Sequence, residues 1–136
     1  MFNKDSQFTL VMICLNEVNG IKHITPGIKK YSKLLNDIVF VDGGSSDGSL
    51  QIAKSNGWNV FLQPQDRMGV LNGIKMGLEK CKTKYVIFFS PDNNCKPEAL
   101  PALIEEANRG NDLVIASRYK DGAKSYDDTI ISGFGN

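Results

Sequence analysis

Apolar residues in this chain come in short unbroken runs, each ending in a polar cluster. Runs at residues 9–15, 37–42, 58–62, 84–89 and 112–117 have the length and continuity of parallel strands buried on both faces. Between them the apolar period changes to three and four. Ile21, Ile24, Ile28, Tyr31 and Leu35 form one such stripe, which Pro26-Gly27 is expected to break or restart. Asp47 is placed to cap a second helix carrying Leu50, Ile52 and Ala53, ended by Gly57. Val70, Leu71, Ile74 and Leu78 predict a third helix over about 67–80 with one apolar face. Pro97 opens a fourth, with Leu100, Leu103, Ile104 and Ala107, closed by Gly110.

Strands alternating with helices predict an α/β fold: a mainly parallel central sheet with helices on both faces, a three-layer Rossmann-like sandwich. The 136 residues suit one domain, and the tail from Tyr119 to Asp128 is polar and reads as a loop. The chain stops at Asn136 without a closing element. It is therefore read as a single domain over 1–136, truncated at its C-terminus, with 118–136 as an acceptor-side loop.

Composition narrows the function classes. Sixteen basic and fifteen acidic residues leave a net charge of +1, which argues against a nucleic-acid partner. Three cysteines, none in a CxxC pair, argue against a zinc site or a disulfide framework and favour a reducing, cytoplasmic setting. Cys14 and Trp58 read as packing residues, and the single histidine, His23, as a helix-surface residue. The apolar runs are too short for a membrane helix.

Ligands of open α/β sheets bind outside the carboxyl ends of the strands. The residues there are Asn16-Glu17, then 42–49 (DGGSSDGS), then 90–94 (SPDNN), then Ser117-Arg118-Tyr119. Glu17, Asp42, Asp47 and Asp92 would repel one another unless a cation or hydrogen-bond donors lie among them. Hydroxyls and glycine-freed amides between them suit polyols, phosphates and a divalent metal. The loop 42–49 is neither GxGxxG nor GxxxxGK[ST]. Asp42 has two readings at this stage, a turn residue or an acceptor for nucleobase N–H and ribose hydroxyls.

The segments LNE (15–17), VDGGSSDGS (41–49), RMGVLNG (67–73) and SPDNNCKPE (90–98), in this order and spacing, resemble family 2 glycosyltransferases of the GT-A fold. Within that family they are similar to the polyprenyl-phosphate-sugar synthase branch, over about residues 8–120. The resemblance implies transfer of a sugar from a UDP- or GDP-sugar, with inversion and a Mg2+ or Mn2+ ion, to a polyprenyl phosphate or a glycan. It places the protein in cell-envelope polysaccharide synthesis, in the cytoplasm or at the inner face of the membrane. It implies that Leu15, Glu17 and Asp42, with Gly44 and Ser45, hold the nucleoside. Arg67 and Gly69 approach the diphosphate, and Asp92 binds the metal.

The family pattern has Asp-x-Asp where this chain has Ser90-Pro91-Asp92, so one carboxylate is missing. Asp127 and Asp128 admit two readings, a general base for a hydroxyl acceptor or solvated loop charges. Two other functions stay open. One is a nucleotide-sugar-binding module without turnover. The other is a sugar nucleotidyltransferase, against which the lack of a glycine-rich phosphate loop after the first strand counts.

Overall fold

The computed structural model describes residues 1–117. Four parallel strands form one sheet: β1 (Phe8–Cys14), β2 (Asp37–Asp42), β3 (Asn59–Leu62) and β4 (Tyr85–Phe88), in the order β3-β2-β1-β4. Four helices follow the strands in turn: α1 (Val18–Tyr31), α2 (Ser49–Ser55), α3 (Val70–Lys80) and α4 (Leu100–Asn108). In register Cys14 pairs with Asp42, and Asp42 with Leu62. The carboxyl ends of β1, β2 and β3 are therefore level, and their loops open on one edge. This is the expected α/β architecture with a parallel central sheet.

Side-chain alternation divides the core in two. On one face Leu10, Met12, Ile38 and Phe40 meet Ile21, Ile24 and Ile28 of α1, Ala53 of α2 and Leu100 and Ile104 of α4. Trp58 packs here, as expected, with its ring 5.7 Å from that of Phe40. On the other face Val11, Val39 and Val41 form a smaller cluster. Helix α3 lies across β1 and β2 on that side.

Four expectations are corrected. Helix α1 runs unbroken through Pro26. The hydrogen bond that proline removes is the one to the carbonyl of Lys22, on the exposed side of the helix, where its loss costs less than in the core. The apolar stripe of α3 is not its sheet-facing side. Gly73 and Gly77 are buried, while Val70, Leu71 and Leu78 are exposed. A Cβ at Gly77 would stand 2.6 Å from Val11 Cγ1, and one at Gly73 2.7 Å from Ile13 Cγ2. The helix backbone thus rests directly on β1.

Arg67 lies outside α3, in a 3-10 turn (Gln65–Arg67) before it. Finally, residues 112–117 form no strand. Leu113 and Ile115 point to solvent and only Val114 reaches the core. An apolar run becomes a strand only where a neighbouring backbone offers hydrogen bonds, and no described strand pairs with this one.

Candidate active site

The loops after β1 and β2 are stitched together by side-chain hydrogen bonds to backbone amides. Ser45 Oγ accepts from the N–H of Asn16 at 2.9 Å, and Asn16 Oδ1 accepts from the N–H of Ser46 at 2.9 Å. Ser49 Oγ accepts from the N–H of Glu17 at 2.9 Å. Asn16 takes φ 57°, a left-handed conformation that asparagine tolerates better than most residues. The hydroxyls of Ser45 and Ser49 thus build the site's frame, while Ser46 contributes its backbone N–H.

Asp47 does more than cap one helix. It sits one residue before Gly48, the N-cap of α2, and its Oδ1 accepts from the backbone N–H and the hydroxyl of Ser49. Its Oδ2 accepts from the N–H of Val18, the first residue of α1, at 2.9 Å. One carboxylate thus joins the N-termini of two helices, where negative charge is favourable. The Ser49 hydroxyl and these amides hold its carboxyl below the usual range.

Asp42 is fully buried at the end of β2. Its Oδ1 accepts from the N–H of Gly44 at 2.9 Å and of Ser45 at 2.8 Å, folding the turn. Its Oδ2 is buried and has no hydrogen-bond partner among the described residues. A buried carboxylate oxygen lacking a donor is costly, so the position is poised to accept one. Both readings of Asp42 therefore have an atom: Oδ1 serves the turn, and Oδ2 is left over. Leu15 lies over the same turn, with Cδ1 3.7 Å from where a Gly43 Cβ would be, and is largely exposed.

Asp92 comes to this edge through a close approach. Gly20, in the first turn of α1, has room for no side chain: a Cβ would sit 2.1 Å from the carbonyl oxygen of Pro91. Glu17 and Asp92 interact as a result. Burial pushes the Glu17 carboxyl up, and the negative charges of Asp92 and Asp47 push the same way. Asp92 itself is exposed, with Oδ1 accepting from the backbone N–H and Oδ2 from the side-chain amide of Asn94. Ser90 is half-buried, and its N–H donates to Cys95 Sγ. Among the described residues no three His, Cys, Asp or Glu side chains form a metal cluster.

The segment before α3 completes the edge. Met68 Cε lies 3.5 Å from where a Gly44 Cβ would be. Gly69 takes φ 104°, open to glycine alone, and starts α3. The Arg67 guanidinium has only a loose contact with Asp66, 3.7 Å away with both side chains about three-quarters exposed. It overhangs a shallow groove beside Asn72 and Lys75 rather than pairing with the acids.

The structure therefore gathers Leu15, Glu17, Asp42, Gly44, Ser45, Gly69, Ser90 and Asp92 at one edge, with Arg67 at its margin. Arg118, Asp127 and Asp128 lie outside the described residues. Sequence reasoning missed Gly20, because a lone glycine in a helix carries no pattern, and it missed Asn16 and Ser49 as framework residues.

The sequence pattern of glycosyl transferase family 2 matches residues 9–134, nearly the whole chain. This protein belongs to that family. Among its relatives is an undecaprenyl-phosphate 4-deoxy-4-formamido-L-arabinose transferase of Pseudomonas fluorescens, 36% identical over 87 residues. That match covers 60% of this chain and 26% of the relative. A cholesterol galactosyltransferase of Borreliella burgdorferi is 29% identical over 86 residues, 61% of this chain and 24% of the relative. Glucosyl-3-phosphoglycerate synthase of Mycobacterium tuberculosis, solved with Mn2+, UDP-glucose and phosphoglyceric acid, shares the fold. Its TM-score is 0.68 at 22% identity, covering 79% of this chain and 41% of that one. The chain thus spans a quarter to a half of the length of such family 2 relatives. The loop that Gly20 admits to the edge is the one carrying Ser90, Pro91 and Asp92.

Proposed function

We propose that this chain carries the donor site of an inverting, metal-assisted glycosyltransferase that uses a nucleoside-diphosphate sugar, with a UDP-sugar favoured. The observation that carries the reading is the buried, partnerless Oδ2 of Asp42 at the carboxyl edge of a parallel sheet. A nucleobase N–H supplies the donor that this oxygen lacks. Asp42 is fully buried, so the base reaches it as the Gly43–Ser45 turn or the Leu15 side chain gives way. Glu17, at the same edge beside the loop after β1, accepts from ribose hydroxyls.

The donor set suits Mg2+ or Mn2+. Such ions are commonly held by one or two carboxylates together with substrate phosphates rather than by an all-protein cage. Asp92, with the neutral amide oxygens of Asn93 and Asn94 beside it, is that kind of partial site. A cation there also relieves the repulsion between Glu17 and Asp92. When bound, the ion supplies positive charge to the departing nucleoside diphosphate. Arg67, with only a loose contact to Asp66 among the described residues, swings toward the same diphosphate and adds a fixed charge to the developing anion.

A polyprenyl phosphate acceptor is already anionic and attacks the anomeric carbon without a general base. A hydroxyl acceptor needs one, and Asp128 is the candidate. The Pseudomonas relative's name supports the lipid phosphate, which sets the reaction at the cytoplasmic face of the membrane in envelope synthesis. No helix among the described residues is long and apolar enough to cross a membrane.

The test is thermal stabilisation by UDP, GDP, CDP and dTDP, each with Mn2+, Mg2+ or EDTA. A ligand at 100 times its dissociation constant adds about 2.7 kcal/mol. Stabilisation by one nucleotide, dependent on metal, is expected. Stabilisation by none with either ion contradicts the reading.

A further inference from the structure

Gln63 follows β3 and is 8% exposed, a buried polar residue to which the sequence assigns no role. Its backbone N–H donates to the carbonyl of Asp42 at 2.8 Å. Its side-chain Nε2 donates to the carbonyl of Gly69 at 2.9 Å and, more loosely, to that of Arg67 at 3.4 Å. Its Oε1 lies 3.2 Å from where a Gly43 Cβ would be, and its Nε2 3.4 Å from the same point at Gly73. One buried amide thus touches the turn after Asp42, the 3-10 turn that carries Arg67, and the start of α3. Asn72 also reaches that turn, donating to the carbonyl of Met68 at 3.3 Å from a less buried position.

We propose that Gln63 is a positioning residue for the diphosphate end of the donor site, acting through the Arg67–Gly69 turn. The inference rests on the donor-site reading above. Apart from Gln63 and Asn72, the turn is held among the described residues by backbone hydrogen bonds, from the N–H of Arg67 to the carbonyl of Pro64 at 2.9 Å and from the N–H of Gly73 to the carbonyl of Gly69 at 3.0 Å. None of the residues of its 3-10 element is buried, and Gly69 stands in a conformation that gains nothing from side-chain packing. Two carbonyls fixed by one amide set the direction in which the Arg67 side chain leaves the backbone. Because the same residue is hydrogen-bonded to Asp42 through its backbone, the base end and the diphosphate end of the site are held at one spacing. Binding needs a single extended ligand to meet both ends, so loosening one end weakens the diphosphate contribution and leaves the nucleoside contribution in place.

The test is Gln63→Met, which keeps length and bulk but cannot donate. In the ligand-free chain, amide exchange of Arg67 and Gly73 is expected to accelerate about tenfold, as for an opening eased by one or two hydrogen bonds, with β1 amides unchanged. Affinity for UDP with Mn2+ is expected to fall about tenfold and affinity for UMP to change less than twofold. In a double-mutant cycle, Gln63→Met adds little to Arg67→Ala, because both act through one contact. Unchanged exchange at Arg67 overturns the positioning role, whether or not nucleotide binds. Equal losses for UDP and UMP, or additive losses with Arg67→Ala, overturn its action on the diphosphate. If the unaltered chain binds no UDP, the donor-site reading and the diphosphate role fall together, while the exchange result still decides whether Gln63 holds the turn.

Discussion

The two faces of the sheet are built differently. Under α1, α2 and α4, large side chains interlock: Phe40 on Trp58, and Leu10 and Met12 against Ile21, Ile24 and Ile28. Under α3 there are three buried valines, and the helix meets Val11 and Val41 through Gly77 and Ile13 through Gly73. The first face buries most of the apolar surface and so supplies most of the stability. The second gives up side-chain area to bring a helix backbone close to β1, and with it the Met68–Gly69 segment that enters the site. The α3 face thus places part of the site with little apolar burial, whereas α1 and α2 place their part from the well-packed face.

The largest effect expected is on the first face. Phe40→Ala should cost about 3–5 kcal/mol in urea unfolding, as removal of a fully buried aromatic does. A loss below about 1 kcal/mol would mean that this core is not the main one. On the second face, Gly77→Ala replaces a poor helix former with the best, worth about 1 kcal/mol at an open site. Here the new methyl meets Val11 Cγ1 at 2.6 Å, and Val11 is β-branched and fixed in a strand. Overpacking of about 1–3 kcal/mol should win, giving a net loss. A more stable Gly77→Ala protein would show that α3 does not rest on the strand as closely as described.

The two displaced carboxyls at the edge separate by sign. Glu17 is held up in the fold, so its favourable contribution is full below the ordinary glutamate range and is lost as pH rises through its raised value. Asp47 is held down, so its contribution is full above the ordinary aspartate range and is lost as pH falls through its lowered value. Glu17→Gln should therefore raise stability at neutral pH and lose that advantage in acid. Asp47→Asn should lower stability at neutral pH and converge on the unaltered protein in strong acid. Urea unfolding at stepped pH reads both, and effects of the same sign would contradict the assignment. Smallest of all, Leu71→Ser on the exposed side of α3 should change stability by no more than about 0.5 kcal/mol, since Leu71 is 65% exposed. A larger loss would place Leu71 in a packed surface.

The strands were legible because β1 and β2 are buried on both sides and so read as continuous apolar runs. The loop residues at their ends were legible because such folds open their sites there. The inner face of α3 was not. Hydrophobic period assumes that apolar side chains mark the buried side, and at Gly73 and Gly77 the absence of a side chain marks it. Pro26 was read as a break because the sequence does not show that Lys22, whose carbonyl loses its bond, faces water. The run at 112–117 was read as a strand because periodicity says nothing about a pairing partner. Asp42 was legible as a candidate, but its two oxygens were not distinguishable: which one folds the turn depends on the amides of Gly44 and Ser45 arriving together.

That distinction gives the sharpest test. Asp42→Asn keeps an oxygen for the amides of Gly44 and Ser45 and puts an N–H2 group in place of the partnerless Oδ2. Calorimetric titration with UDP and Mn2+, beside a melt of the free protein, should show stability retained and affinity reduced at least tenfold, about 1.4 kcal/mol, because a base N–H then meets a donor. Undiminished UDP affinity in a folded Asp42→Asn protein would contradict the claim that this oxygen receives the nucleotide.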